Sequence, residues 1–520
     1  MATLGGQLTR SAASYADQTA LIFGEHTRSY QELNEEVNQH AHALLERGIR
    51  KGDRVALMSG NSDRFIIAMY AVFKVGAIFV PVNPRATSHE LRHLLADSGT
   101  TVLLLGPGMD TPVAGMGSLD PLPQELSVLA LDELPGLRSL REVASQQPSH
   151  EPRVFVAEDD DCMILYTSGT TGLAKGAQFD HHRLLWVGHS VTTLGVSRFD
   201  RHLHVAPMYH CAQLVLFTLT GFSLGSAHVV LPAFEPSAVV DALEKHQITV
   251  FLGVPTMWQL MLQLPNIAER DLTALRIGFF GAAPMPPAAV RQLVQTLPGV
   301  DFYQLCGQTE GGPTGIFLMP DEVRARPDAT GRWPLPNCEV RIVDVDGNEA
   351  PPGEPGEIIY RGETIMKGYW NQPDATAATI RDGWLHSGDI AVKDGDGYIT
   401  IVDRMKDLII TGGRNVYSVE VEAVLAAHPD VADVAIVSRL DETFGEKIVA
   451  VVTPIPGCEP NLDDLRTFAA SYVSDYKLPR ELVIREIPRN PSGKILKHVL
   501  RDQIRSHEPT TLTDSGEPSS

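Results

Sequence analysis

Eleven consecutive residues, Tyr166-Thr-Ser-Gly-Thr-Thr-Gly-Leu-Ala-Lys-Gly176, place three kinds of anion ligand on one short stretch. Gly169, Gly172 and Gly176 let the backbone turn tightly and approach a ligand closely. Ser168, Thr170 and Thr171 add hydroxyl donors, and Lys175 adds a mobile cation. Backbone amides, hydroxyls and one lysine on a loop suit a polyphosphate. The spacing is not that of a Walker A loop, because Ala174 rather than glycine stands five residues after Gly169. A second stretch, Tyr303-Gln-Leu-Cys-Gly-Gln-Thr-Glu-Gly311, sets a carboxylate directly after a hydroxyl on a glycine-flanked turn. That pair suits a magnesium–phosphate site, with Glu310 for the metal and Thr309 for a phosphate oxygen. Four further stretches are uninformative by spacing alone: Gly281-Ala-Ala-Pro284, Asp382 to Asp389, Asp403-Arg-Met-Lys-Asp407 and Pro488 to Lys494. Each, read singly, is a strand-end turn or a solvated charged turn.

The elements that must position these residues follow from hydrophobic period. The run Cys162-Met-Ile-Leu-Tyr166 reads as a buried strand that delivers the first loop. Strands at Thr19–Phe23, Arg54–Met58 and Ala77–Pro81 alternate with amphipathic helices from Tyr30 to about Arg47 and from about Asp63 to Val75. Val250–Pro255 and Arg276–Gly281 read as two buried parallel strands with a helix between them. Alternation of this kind predicts mainly parallel sheets covered on both faces. From Val340 to Ile401 the pattern changes to short alternating strands with Gly/Pro turns, which suggests a small antiparallel barrel. A compact α+β unit follows, with a strand at Val434–Val437 and helices near 419–427 and 462–471. Gly106 to Leu126 reads as an exposed loop, and the polar stretch 508–520 as a disordered tail.

Composition bounds the function. A chain of 520 residues exceeds what one core usually serves, so two or more domains are expected. A net charge of −21 argues against nucleic acid or an anionic membrane as partner. Five scattered cysteines without a CxxC pair fit a reducing cytosol and argue against a disulfide framework or a cysteine-built zinc site. Leu214 to Phe234 is long and apolar, but Gly221, Gly225 and Pro232 interrupt it. It reads as a buried helix leading into a buried strand rather than a membrane span.

Taken in order, these stretches closely resemble the motifs of the adenylate-forming superfamily, which includes acyl-CoA synthetases, luciferases and peptide-synthetase adenylation domains. The resemblance covers about residues 8–505. It implies an α/β chain with a large N-terminal domain at 1–403, phosphate loop at 166–176 and β-barrel part at about 338–402. A smaller, mobile C-terminal α+β domain at 404–507 carries the catalytic lysine. The family motifs assign Thr167, Ser168, Gly169, Thr170, Thr171, Gly172 and Lys175 to the phosphates of ATP. Gly281, Ala282, Ala283 and Gln308 fall at its adenine-side positions, and Asp389 and Arg404 at the ribose. Glu310 and Thr309 keep the magnesium and phosphate roles, and Lys494 matches the terminal lysine that steadies the α-phosphate and substrate carboxylate. Lys406 falls at the hinge, Gly412 and Gly413 border the thiol channel, and His210, Cys211, Phe279 and Gly307 line the acid pocket. The chain departs from the family at Cys306, where an aromatic ring usually stacks on adenine; Phe302 and Tyr303 are the rings at hand to compensate.

The activity so implied is a ligase that forms an acyl-adenylate from a small carboxylic acid and ATP with Mg2+, releasing pyrophosphate. The acyl group then passes to the thiol of coenzyme A. An amine acceptor, giving an amide, is the runner-up. A luciferase-like oxidation, a carrier-loading module and a nucleotide binder without turnover rank below it. The expected setting is cytoplasmic, as monomer or homodimer, without an integral membrane segment.

Overall fold

The computed structural model describes residues 3–109, 126–167, 174–441, 443–489 and 495–505. Most of the Gly106–Leu126 stretch, Ser168 to Leu173, Asn490 to Lys494 and the 508–520 tail therefore lie outside the described residues. Contacts divide the chain into two compact units, one of Met1–Ser387 with Ala391–Ile401, the other of Gly388–Ile390 with Val402–Ser520.

Apolar runs such as Val102-Leu-Leu-Leu105 and Val250-Phe-Leu252 carry no alternation because both faces of their sheets are covered. In the first unit they build two large sheets. One has the strand order Trp333–Pro334, Gly315–Leu318, Asp301–Gly307, Ile277–Gly281, Val250–Leu252, Arg201–His204, Ala227–Val230, Thr19–Phe23, His26–Ser29. Its middle strands, from Asp301–Gly307 to Thr19–Phe23, run parallel, and antiparallel strands close both edges. The other runs Gly368–Tyr369, Lys175–Asp180, Asp161–Thr167, Ile78–Val82, Arg54–Met58, Val102–Leu105, Ser127–Ala130. Helix Tyr30–Glu46 begins at a capping box, in which Ser29 and Glu32 each satisfy the other's backbone amide. The predicted parallel pair holds: Val250–Leu252 lies beside Ile277–Gly281 with helix Pro255–Leu262 between them in sequence. Trp258 of that helix is fully buried, and its indole N–H donates to the Phe279 carbonyl at 3.0 Å. Burying one such aromatic stabilises by roughly 2–3 kcal/mol, provided its polar atom finds this kind of partner.

The apolar segment after His210 forms a π-helix, Ala212–Leu219, then a helical turn to Leu224 and the strand Ala227–Val230. No helix of the described residues is long and apolar enough to cross a membrane. Three imidazoles stack near this segment. His202 and His228 are register partners on adjacent strands with centroids 5.3 Å apart, and His204 lies 5.0 Å from His228. Gln213 donates to His204 Nδ1 at 2.6 Å, so His204 Nε2 carries the proton and donates to His228 Nδ1 at 2.7 Å.

Strands Cys338–Val343, Pro355–Gly362, Trp384–Lys393, Ile380–Arg381 and Ile399–Arg404 form the third, antiparallel sheet. These strands occupy the region where a small antiparallel barrel is expected. At the start of the last of these strands Ile399 exchanges bonds of 3.0 and 2.8 Å with Gly331.

In the second unit, Val431–Asp441 and Gly445–Pro454 form a long antiparallel pair, joined by Glu481–Ile484 and the hairpin Ile409–Thr411/Arg414–Val416. Val434 and Ile436 face one apolar cluster, while Ala435 and Val437 face another under the C-terminal helix, Lys497–Arg505. This is the period-two pattern of a sheet covered on both sides. Lys497 Nζ reaches Glu422 at 2.7 Å and Ser418 Oγ at 2.6 Å, and Ser418 in turn donates to Asp403. Arg501 pairs with Asp407 at 2.6 Å. Burial pushes the Glu422 and Asp403 carboxyls up, and Lys497 works against that rise.

Candidate active site

The polyphosphate stretch is a hairpin connection. Strand Asp161–Thr167 enters it and strand Lys175–Asp180 leaves antiparallel, with Thr167 and Lys175 the last registered pair. A Walker A loop leads into a helix; this one returns along its own strand, which explains the different glycine spacing. Gly176 is required by contact, since a Cβ there would stand 2.5 Å from Ile164 Cγ2. Two side chains that sequence reasoning missed pin the loop's flanks. Tyr166 Oη donates to Asp97 at 2.6 Å, and His93 Nε2 donates to the Ala174 carbonyl at 3.0 Å. Ser168, Gly169, Thr170, Thr171 and Gly172 lie outside the described residues.

The Thr309–Gly311 segment is a single 3₁₀ turn closed by Gly312 at φ 74°. A Cβ on Gly312 would meet the Thr364 carbonyl at 2.2 Å, so both conformation and space demand glycine. Half-buried Glu310 accepts a hydrogen bond from Tyr369 Oη at 2.9 Å. The Thr309 hydroxyl lies 3.2 Å from Cys211 Sγ. That contact joins the expected acid pocket to the expected phosphate motif across 98 residues of chain. Gln308 precedes the turn half-buried, and Gly307 is exposed.

Gly281 ends a central strand opposite Leu305, and Ala282 follows at φ 65°. A left-handed alanine costs about 1 kcal/mol and persists only where its surroundings impose it, a pattern that gathers at functional sites. Ala282 is exposed and Ala283 half-buried. His210 closes a turn onto the Pro207 carbonyl at 3.0 Å, immediately before the π-helix, a rare element frequent at functional sites. Asn61, also missed in sequence, staples this turn by accepting from Met208 N at 2.8 Å and donating to the Ala206 carbonyl at 3.0 Å. Burial pushes the Cys211 thiol up to about 12, so it sits there as a neutral group and not as a nucleophile. Phe279 is fully buried, its ring 4.8 Å from Phe217 and stacked on Tyr303 at 5.4 Å. Tyr303 stacks on Phe279, and Phe302 meets Trp258 edge-on at 5.2 Å. Cys306 itself is half-buried against the apolar cluster of the third sheet.

Within the second unit, Arg404 Nε pairs with Asp389 Oδ1 at 2.7 Å, bringing the two expected ribose ligands together. Lys406 is exposed two residues on. Gly412 and Gly413, at φ 56° and 75°, form the two-residue turn of the Ile409–Val416 hairpin, a geometry that needs positive φ at both positions. Lys494 lies outside the described residues.

A family model for the AMP-binding enzyme matches residues 8–370, and one for the AMP-binding enzyme C-terminal domain matches 420–494. The chain belongs to the AMP-binding enzyme family. Among its relatives in this adenylate-forming group, a feruloyl-CoA synthase of Amycolatopsis sp is 36% identical over 501 residues, covering 96% of this chain and 98% of that protein. An indoleacetate–CoA ligase of Aromatoleum aromaticum is 34% identical over 503 residues, covering 96% and 97%. The solved structure of ATP-bound MatB from Rhodopseudomonas palustris superposes with a TM-score of 0.88 at 28% identity, covering 97% of this chain and 99% of that one.

Proposed function

We propose that this AMP-binding enzyme is an AMP-forming acid–CoA ligase whose acid carries an aryl group. The observation that supports the reaction is the 3.2 Å approach of Cys211 to Thr309, which brings the expected acid pocket beside the expected phosphate motif. A free carboxylate is a poor acyl donor, because its leaving group is oxide. Attack of its oxygen on the α-phosphorus breaks the bond to the β-phosphate bridge, releases pyrophosphate and leaves a mixed anhydride. Two anions must be held in line while their repulsion is neutralised. Lys175, the loop amides and Lys494 supply that positive field. Glu310 and Thr309 would hold magnesium, since a carboxylate and a hydroxyl are hard oxygen donors. When bound, the ion neutralises phosphate charge. In the second step a thiol attacks the acyl carbon, the acyl–oxygen bond breaks and AMP leaves.

Asp389 and Arg404 hold the ribose, Lys406 is the hinge about which the small domain turns between steps, and the turn Gly412–Gly413 borders the thiol channel. The aryl reading is supported by the buried rings of Phe217, Phe279 and Tyr303 behind the His210–Cys211 turn, and by the feruloyl and indoleacetate relatives. Five free thiols favour a reducing, cytoplasmic setting.

The test measures pyrophosphate release with ATP and a panel of benzoates, cinnamates, arylacetates and medium-chain fatty acids. CoA or an amine is then added and the product weighed by mass spectrometry. Aryl acids are expected to lead in kcat/KM by about tenfold, a margin one pocket provides. A lead for fatty acids overturns the aryl assignment, and an amide product overturns the CoA acceptor.

A further inference from the structure

Tyr369 belongs to none of the motifs singled out in the sequence, yet its side chain touches two of them. It is the second residue of the two-residue strand Gly368–Tyr369, which lies antiparallel on the strand leaving the phosphate loop, with Tyr369 opposite Ala177. The placement is rigid. Lys367 N donates to the Gln178 carbonyl at 2.9 Å, Trp370 N to the Gly176 carbonyl at 2.7 Å, and Tyr369 N to Thr376 Oγ1 at 2.8 Å. From this strand the phenol donates to Glu310 Oε1 at 2.9 Å, and Lys175 Nζ stands over the ring, 5.0 Å from its centroid.

We propose that Tyr369 is a positioning residue that sets the Glu310 carboxylate and the Lys175 ammonium in one constellation at the triphosphate end of the site. This rests on reading Glu310 as the magnesium–phosphate carboxylate. A carboxylate with one oxygen held by a fixed donor presents the other in a defined direction, and such outer contacts typically tune metal affinity 10- to 100-fold. A ring beneath an ammonium holds it without a competing anion, so the lysine is pre-placed and still free to pair with phosphate. Tyrosine does both, whereas phenylalanine lacks the donor.

The test titrates the full chain with ATP by calorimetry, acid absent so that nothing turns over, at a series of magnesium concentrations. Wild type is compared with Tyr369→Phe, Tyr369→Leu and Glu310→Gln, each checked by its melting temperature. Tyr369→Phe is expected to raise the magnesium concentration for half-maximal binding about tenfold, with metal-free ATP affinity unchanged. Tyr369→Leu is expected to weaken metal-free ATP binding several-fold as well, since the ring under Lys175 is gone. An unshifted magnesium dependence in Tyr369→Phe, while Glu310→Gln shifts it, overturns the proposal and leaves the Glu310 reading standing. Equal losses with and without magnesium in both tyrosine variants mark mere packing and also overturn it. If Glu310→Gln leaves the dependence unshifted, the Glu310 reading falls and this proposal with it.

Discussion

At Cys306 the motif resemblance leads one to expect a flat ring, and the chain has a small polarisable side chain instead, while Tyr303 stacks on Phe279 and Phe302 meets Trp258. A cysteine cannot stack on adenine. Stacking on a base is worth roughly 1–3 kcal/mol in nucleic-acid binders. Less is expected here, because phosphates and ribose have partners of their own, and about 0.7 kcal/mol corresponds to threefold. Cys306→Tyr is therefore expected to lower KM for ATP about threefold with little change in kcat, measured by pyrophosphate release. A raised KM, or loss of folding, indicates that the space beside the third sheet's apolar cluster is too tight for a ring.

At the scale of elements, the C-terminal helix is fastened by Lys497 to Glu422 and Ser418, and by Arg501 to Asp407. Glu422 is well buried and also accepts from Ile436 N at 2.8 Å, so removing its cation leaves a charge without compensation. Lys497→Met is expected to destabilise the second unit by about 3–5 kcal/mol, the usual cost of breaking a buried pair by removing one partner. Chemical denaturation of the full chain followed by a probe in that unit measures this. A change under 1 kcal/mol means that the pair is solvated and carries little. The loop around Lys406 supports a second expectation. Proline there fixes φ, so Lys406→Pro should keep pyrophosphate release near wild type and slow thioester formation more than tenfold. Normal thioester turnover in that variant removes the hinge from Lys406.

For the molecule as a whole, acid is the expected weakness. Burial lowers the pKa of His40, His181 and His202 from 6.5 to about 4, and that of His204 and His228 further. The unfolded chain binds these protons near pH 6.5, while the folded chain refuses them. Stability is thus full above pH 6.5 and falls as pH drops towards 4, by about 1.4 kcal/mol per pH unit for each such histidine. Thermal melts should show a lower Tm at pH 5.5 than at pH 7.5. Among the described residues His202 has no hydrogen-bond partner on either ring nitrogen, so His202→Leu should reduce this pH slope by about one proton without loss at pH 7.5. A pH-independent Tm in the wild type is the opposing outcome.

What the sequence determined by itself is local. The close-packed Gly176, the turn at Thr309–Glu310 and the runs of parallel strand were legible because backbone conformation and hydrophobic period are properties of neighbouring residues. The motif order also placed the chain in its family without a contact being known. Partnerships between distant residues were decided only by tertiary structure. Tyr369 meets Glu310 from 59 positions away, Tyr166 meets Asp97 from 69, and Asn61 meets the turn before His210 from about 150. The bridge between Gly331 and Ile399 is of the same kind, because strand propensity cannot say which distant residue a strand end meets. Side-chain chemistry and period are written in sequence, whereas edge occupancy and long-range hydrogen bonds depend on which surfaces the fold brings together.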